Sequence, residues 1–224
     1  MNNIIFDGKW TFEREWKQSS LKEIHTEEDN VYLRISHQDE FVFIFLDVLP
    51  DKQMERIVDK AIICFDTKNN KSEIPDVDDY CFIAAVGKQT GITLQGDSKI
   101  PRNNYLKNIK NHQDMIAIGG FSDENDRYSD IPHASYEFKI PTELIGRSDN
   151  YGFYASVFDY NSETVYSWPS INFENPNIIP SPSKWGDVIS PDRSIPEMPV
   201  PLVILSVLLI SVVGITRKIG FSRY

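Results

Sequence analysis

Short runs in which apolar and polar residues alternate dominate the first 170 residues of the chain. Residues 31–36 (VYLRIS) alternate with a period of two, which is typical of a strand with one exposed face. Residues 41–48 (FVFIFLDV) are apolar on both faces. This predicts a central strand covered on both sides, or a strand that pairs across a sandwich while a long loop covers its outer face. Six further runs between turn-forming residues have strand character: residues 60–65, 80–86, 115–118, 134–140, 151–158 and 164–168.

Eight or so short strands with few helical patterns predict an all-β fold over residues 1–190. We expect a single antiparallel β-sandwich, immunoglobulin-like or jelly-roll-like, with no second globular domain. The polar, basic stretch at residues 97–113 is expected to form a long surface loop.

The C-terminal region has a different pattern, because residues 198–216 carry no charge. As a helix they would span roughly 28 Å, close to the ~30 Å hydrocarbon core of a bilayer. We therefore predict a transmembrane helix over residues 200–216, preceded by a proline-rich stalk at 191–199 and followed by a basic tail at 217–224. The order Pro196-Glu197-Met198-Pro199, apolar run, Arg217-Lys218 resembles the PEF-type sorting signals read by archaeosortase-like transpeptidases of archaeal surface proteins.

The charges on either side of the span predict its orientation. Three basic residues follow it, whereas Asp192, Arg193 and Glu197 before it sum to −1. The positive-inside rule then places the tail in the cytoplasm and the domain outside the cell. Residues 1–16 lack the pattern of a signal peptide, so this arrangement requires an export signal upstream or an unconventional route. The alternative is a tail-anchored protein with its domain in the cytoplasm.

The net charge of −10 limits the partners of the domain. The tail contributes only basic residues, so the remainder of the chain carries −13. Such a surface repels nucleic-acid phosphates and anionic lipid, and leaves divalent cations, neutral polymers and basic partners. The sequence contains no nucleophile elbow, phosphate-binding glycine loop or zinc-protease motif, so we expect no enzyme activity.

Four aspartates lie within fourteen positions between two predicted strands: Asp66, Asp76, Asp78 and Asp79. Calcium takes six to eight oxygen ligands of this kind, so the loop is either a structural calcium site or a solvated acidic loop. Cys64 and Cys81 flank it at the strand ends. They either form a disulfide that closes the loop or remain two small buried thiols.

Several motifs in order resemble the sandwich domains of carbohydrate-binding module family 9 and of DOMON domains. The match covers residues 6–187. In chain order, its motifs are FDGKW (6–10) with Trp16, FVFIFLD (41–47), CFD (64–66) with DDY (78–80), YEFKIP (136–141) with LIG (144–146), GF (152–153) with Asp159, WP (168–169) and WG (185–186). Relatives of this kind bind sugars, hold b-type haem or serve as surface modules. The resemblance implies a non-catalytic surface module that binds glycan, with a structural or adhesive role as the alternative and haem binding a further one.

Aromatic and polar residues near the end of the domain are the candidates for the glycan site. Protein–sugar contacts combine aromatic faces with groups that hydrogen-bond hydroxyls, and the candidates are Trp168, Tyr166, Trp185 and Asp159. The alternative is that the tryptophans are core residues. The resemblance favours Trp168. Haem would require axial ligands from Met54, Met115 or one of the four histidines.

Overall fold

A computed structural model of the chain describes residues 4–26, 29–101, 103–171 and 178–189. The predicted stalk, membrane span and basic tail lie outside these residues. Within them, no helix has both the length and the apolar character needed to cross a membrane.

The described residues form two antiparallel sheets packed face to face, as the sequence predicts. The first sheet has the strand order β1-β2-β3-β9-β8, and the second has β11-β10-β4-β5-β6-β7 with β12 also paired to β10. The strands are β1 Ser20–His25, β2 Asn30–Gln38, β3 Phe41–Val48, β4 Lys60–Asp66, β5 Asp79–Ala85, β6 Ile92–Gly96, β7 Leu106–Ile109, β8 Ile116–Phe121, β9 Ala134–Pro141, β10 Asn150–Asp159, β11 Thr164–Trp168 and β12 Gly186–Ile189. One α-helical turn, α1 (Thr142–Ile145), follows β9.

Four of these strands, β1, β6, β7 and β12, lie outside the runs read from the sequence. β1 and β12 are mostly exposed, and β7 falls inside the stretch expected to be a loop. β7 pairs with β6 at the edge of the second sheet. Edge strands bury little side-chain surface, so their sequences need not show apolar alternation.

The central strand β3 is covered on both faces. Val42, Ile44 and Leu46 point into the sandwich core. Phe45, on the opposite face, packs against Trp10 and Trp16 of the N-terminal segment. A long N-terminal loop thus covers the outer face of the first sheet, which explains why β3 is apolar at both alternating sets of positions.

Buried Glu137 on β9 holds this N-terminal loop in place. Its Oε2 accepts hydrogen bonds from the backbone amides of Asp7 and Gly8, at 2.8 and 2.7 Å. The backbone of Gly8 has φ of +86°, and a Cβ there would lie 2.6 Å from the amide nitrogen of Gly120. Only glycine permits this close crossing over β8.

The second sheet also has a small core on its outer face. Cys64, Cys81, Tyr154 and Trp185 are buried together there. The Trp185 Nε1–H donates to the carbonyl of Pro180 at 2.9 Å, which fixes the ring against the sheet.

Candidate functional site

Strands β1 and β11 are edges of different sheets and face each other along one open side of the sandwich. The larger cavity on this side, the polar pocket, has a volume of about 810 Å³. It opens between the end of β1, the segment after β3 and the β10–β11 hairpin. Its walls are mostly polar and include Asp51, Asp159, Asn161 and Tyr166.

A second cavity, the apolar groove, lies further along the same side and has a volume of about 300 Å³. Trp168, Phe153 and Val188 contribute to its walls. The Trp168 ring packs against Phe153 at 5.8 Å between centroids, and a Cβ at Gly186 would lie 2.7 Å from its edge. Trp168 is therefore half-buried and wedged between neighbouring strands.

The structure does not bring the four predicted glycan-binding residues into one site. Tyr166 and Asp159 line the polar pocket, whereas Trp168 lines the apolar groove. Tyr166 and Trp168 share a strand face because they are two positions apart, and Trp185 lies on the opposite face of the second sheet. Of the four predicted residues, only Tyr166 and Asp159 line the same pocket.

Asp159 shapes the tip of the β10–β11 hairpin beside the polar pocket. Its Oδ1 accepts hydrogen bonds from the amides of Asn161 and Ser162 at 2.9 and 3.2 Å, and its Oδ2 accepts one from the Ser162 hydroxyl at 2.7 Å. These bonds fix the backbone of the turn that carries Asn161.

The floor of the polar pocket contains a cluster that the sequence reading missed. Asp51, Asp59 and Asp159, here called the floor triad, each bring a carboxylate oxygen within 4.8 Å of the others. Their residues are 1%, 0% and 3% exposed. They are far apart in sequence and meet because each lies at or beside the end of a strand: β3, β4 or β10. The signal in the sequence that could have identified this cluster is an aspartate at or near the end of each of these three strands.

Asp51 differs from its two neighbours because neither of its carboxylate oxygens has a hydrogen-bond partner among the described residues. Burial, followed by repulsion from Asp159 and Asp59, raises the pKa of Asp51 to about 8. The buried Tyr136 hydroxyl also has no partner among them. Burial raises the Tyr136 pKa well above its ordinary value, and the charges of the three aspartates raise it further.

The predicted calcium loop forms a second acidic group, the hairpin cluster of Asp66, Asp78 and Asp79. Their carboxylate oxygens also lie within 4.8 Å of one another. Asp66 accepts hydrogen bonds from the amides of Asn70 and Lys71 at 3.1 and 2.8 Å. Asp79 Oδ2 accepts one from the amide of Asp76 at 2.7 Å, and the Asp76 carboxylate accepts one from the amide of Asp78 at 3.1 Å.

Lysine charge reaches the hairpin cluster as well. Lys68 Nζ lies 3.1 Å from Asp78 Oδ1. Among the three carboxylates, the atom without a partner in the described residues is Asp79 Oδ1. Burial first, then repulsion from Asp66, Asp76 and Asp78, raises the pKa of Asp79 to about 7.

Cys64 and Cys81 are direct cross-strand neighbours on β4 and β5. They form a disulfide with an S–S distance of 2.04 Å that closes the hairpin carrying the hairpin cluster. The described residues include no free cysteine.

A third buried acidic group contains a histidine. His133 Nε2 lies 2.7 Å from Asp47 Oδ1 and 3.9 Å from Asp126 Oδ1. Burial opposes a charge on His133, but the hydrogen bond to Asp47 and the two carboxylates outweigh it and raise the His133 pKa. Burial raises the Asp47 pKa to about 6. The imidazolium therefore supplies the positive charge within this group.

Comparison with known proteins supports the fold. No protein-family model and no curated protein matches the sequence. Among solved structures, a family 9 carbohydrate-binding module from Caldicellulosiruptor kristjanssonii in complex with glucose is similar, with a TM-score of 0.55 and 14% identity over 88% of this chain and 96% of that one. The module from the same organism in complex with cellotriose gives a TM-score of 0.53 and 13% identity over 87% and 95%.

These likenesses cover nearly the whole sandwich and agree with the family resemblance read from the sequence. At 14% identity they show a shared fold. A shared fold does not transfer a ligand, so the site must be argued from its own residues.

Proposed function

We propose that this protein is a non-catalytic glycan-binding module and that the polar pocket is its binding site. The observation that carries the proposal is the placement of Tyr166 in the wall of this pocket beside Asp159 and Asn161. An aromatic face next to amide and carboxylate groups suits a sugar ring, which has an apolar C–H face and hydroxyl edges.

The acidic balance of the chain favours a neutral glycan. The chain carries a net charge of −10, and the pocket contains two aspartates. An anionic polysaccharide would be repelled, whereas hydroxyl groups can donate hydrogen bonds to carboxylates. Neutral hexose oligosaccharides, such as those bound by the two similar modules, are therefore the first probes.

The same geometry supports a binding role over a glycosidase role. The two carboxyl groups of a glycosidase flank the scissile bond at about 5 to 10 Å. The carboxylates of the floor triad are buried and lie within 4.8 Å of one another, so a glycosidic bond does not fit between them.

Titration calorimetry of the full chain with glucose, cellotriose and a panel of neutral oligosaccharides tests the proposal. Tyr166→Ala should weaken binding by up to about tenfold, since an aromatic contact contributes up to about 1.5 kcal/mol. Tyr160→Ala is the matched control, because Tyr160 lies on the same hairpin and is 52% exposed. If Tyr166→Ala perturbs the fold, Asn161→Ala, at an exposed position of the pocket, should still weaken binding severalfold.

Trp168→Ala separates the polar pocket from the apolar groove. Trp168 packs against Phe153 and Gly186, so its removal should cost about 3 kcal/mol of stability while the folded fraction keeps its glycan affinity. Binding lost with the melting temperature unchanged would move the site to the apolar groove. A glycan panel without hits rejects the proposal, and a Soret band in the purified protein would favour the haem alternative.

We further propose that the C-terminal span holds the module at a membrane with its domain outside the cell. The support is the uncharged run at residues 198–216 and the three basic residues after it. Protease added to intact cells should then remove the domain. Full protection until lysis would favour the cytoplasmic tail-anchored arrangement.

A further inference from the structure

The floor triad places three buried carboxylates at the bottom of an open pocket. Two of them are held by protein donors. Asp59 accepts hydrogen bonds from the amides of Glu55 and Tyr160 at 2.7 and 3.0 Å, and Asp159 accepts from the β10–β11 turn. Asp51 is 1% exposed, and neither of its oxygens accepts a hydrogen bond of normal geometry in the described part of the chain, although the backbone amide of Gln53 acts to lower its pKa. A buried carboxylate without donors is costly, which points to a missing partner.

The missing partner is not a side chain of the described residues. No lysine, arginine or histidine among them forms an ion pair with Asp51, Asp59 or Asp159. Lys52 and His25 line the same pocket, but neither forms an ion pair with the triad among the described residues. Glu55 contributes a further buried oxygen without a partner, and Tyr136 a hydroxyl without one.

The spacing of the oxygens fits one cation. Calcium binds oxygen ligands at about 2.3 to 2.6 Å, so two ligands of the same ion lie at most about 5 Å apart. The oxygens of the floor triad lie within 4.8 Å of one another. Asp51 and Asp159 also line the polar pocket, so an ion can enter from solvent and complete its coordination with water.

We propose that the floor triad is a calcium site in which Asp51, Asp59 and Asp159 each supply at least one ligand. This site is separate from the hairpin aspartates for which the sequence predicts calcium, and it does not depend on glycan binding. The bound ion would neutralise the pocket floor. It would also connect the segment after β3 to the start of β4 and to the end of β10.

The test uses the full chain after treatment with chelator, with calcium chloride as the only added divalent cation. Calorimetry should show binding, and the melting temperature should rise by several degrees in millimolar calcium and fall again with chelator. Asp51→Asn should abolish this rise. The same variant should melt no lower than the wild type in chelator, because neither oxygen of Asp51 accepts a hydrogen bond that the substitution would remove.

Asp79→Asn is the matched control, because it changes a buried aspartate of the hairpin cluster. We expect it to keep the calcium-dependent rise. A rise that survives in Asp51→Asn, or one that is lost in Asp79→Asn, overturns the proposal, as does a wild-type protein that does not respond to calcium.

Terbium luminescence gives a second measurement that does not depend on the folding of Asp51→Asn. The charges of the floor triad act on Tyr136, which can sensitise terbium bound there, whereas Tyr80 is the sequence neighbour of Asp79 in the hairpin cluster. Tyr136→Phe should lower the calcium-displaceable emission severalfold, and Tyr80→Phe should leave it unchanged. The reverse pattern would assign the ion to the hairpin and reject the proposed site.

Discussion

The two ends of strand β4 carry two clusters of buried carboxylates, and these clusters differ in the donors that compensate their burial. The strand has seven residues, so the clusters lie roughly 20 Å apart. At one end, the hairpin cluster receives backbone amides and a lysine from its own loop. At the other end, Asp51 of the floor triad receives no donor among the described residues. A cluster formed within one loop can evolve its own donors, whereas one assembled from three distant segments depends on what enters the pocket.

The largest effect should come from the disulfide next to the hairpin cluster. Replacing both Cys64 and Cys81 with alanine releases a loop of sequence separation 17, which should lower the free energy of unfolding by about 3 kcal/mol. Urea unfolding of the double variant measures this. The calcium response of the floor triad, at the other end of β4, should persist. Loss of that response would show that the two ends are coupled.

A smaller effect is expected from Asp66→Asn, which weakens the acceptor of the Asn70 and Lys71 amides. Hydrogen bonds to a charged group contribute about 1.5 to 3 kcal/mol, so we expect a loss of about 2 kcal/mol in chelator. Asp51→Asn in the same chelator should show no loss. Equal destabilisation by the two substitutions, measured by urea unfolding, would remove the distinction between the clusters.

The smallest effect concerns the group of His133, Asp47 and Asp126, in which a histidine side chain is the partner of the buried carboxylate. The raised His133 pKa contributes stability that is present below about pH 6.5 and is lost as pH rises through the folded-state pKa. The raised Asp47 pKa acts in the same direction, since its contribution is present below about pH 4 and is lost as pH rises through about 6. Stability should therefore fall between pH 5 and 8.

His133→Gln isolates this contribution. The difference in melting temperature between wild type and variant, measured in chelator from pH 5 to 8, should shrink as pH rises, and should correspond to about 1 kcal/mol or less. Carboxylates that do not interact with His133, such as Asp79, cancel in the difference, whereas Asp47 loses its hydrogen bond to His133 and contributes to it. A difference that is constant with pH would show that His133 does not titrate in this range.

Local sequence patterns predict the parts of this molecule that are local in the chain. Alternation identifies the eight principal strands, and the grouping of Asp66, Asp78 and Asp79 follows from their closeness in sequence. The exposed strands β1 and β12 carry no such signal, because their stability comes from backbone pairing with a neighbour.

Sites assembled from distant segments follow from strand pairing, which the sequence does not display. Asp59 and Asp159 meet because β4 and β10 pair antiparallel, with Lys60 opposite Phe158. The four residues of the predicted glycan set lie in different places for a related reason. Trp185 approaches the second sheet from its outer face, whereas Tyr166 and Trp168 point inward from β11.

The polar pocket and the last described residue lie at opposite ends of strand β10. β12 pairs with the beginning of β10, with Ile189 opposite Asn150, whereas Asp159 ends β10 at the pocket. A ten-residue strand extends roughly 30 Å, so the described chain leaves the sandwich at the far end from the pocket. The last described residue, Ile189, is therefore separated from the polar pocket by about the length of β10, so a large molecule at the pocket would not meet the end of the described chain.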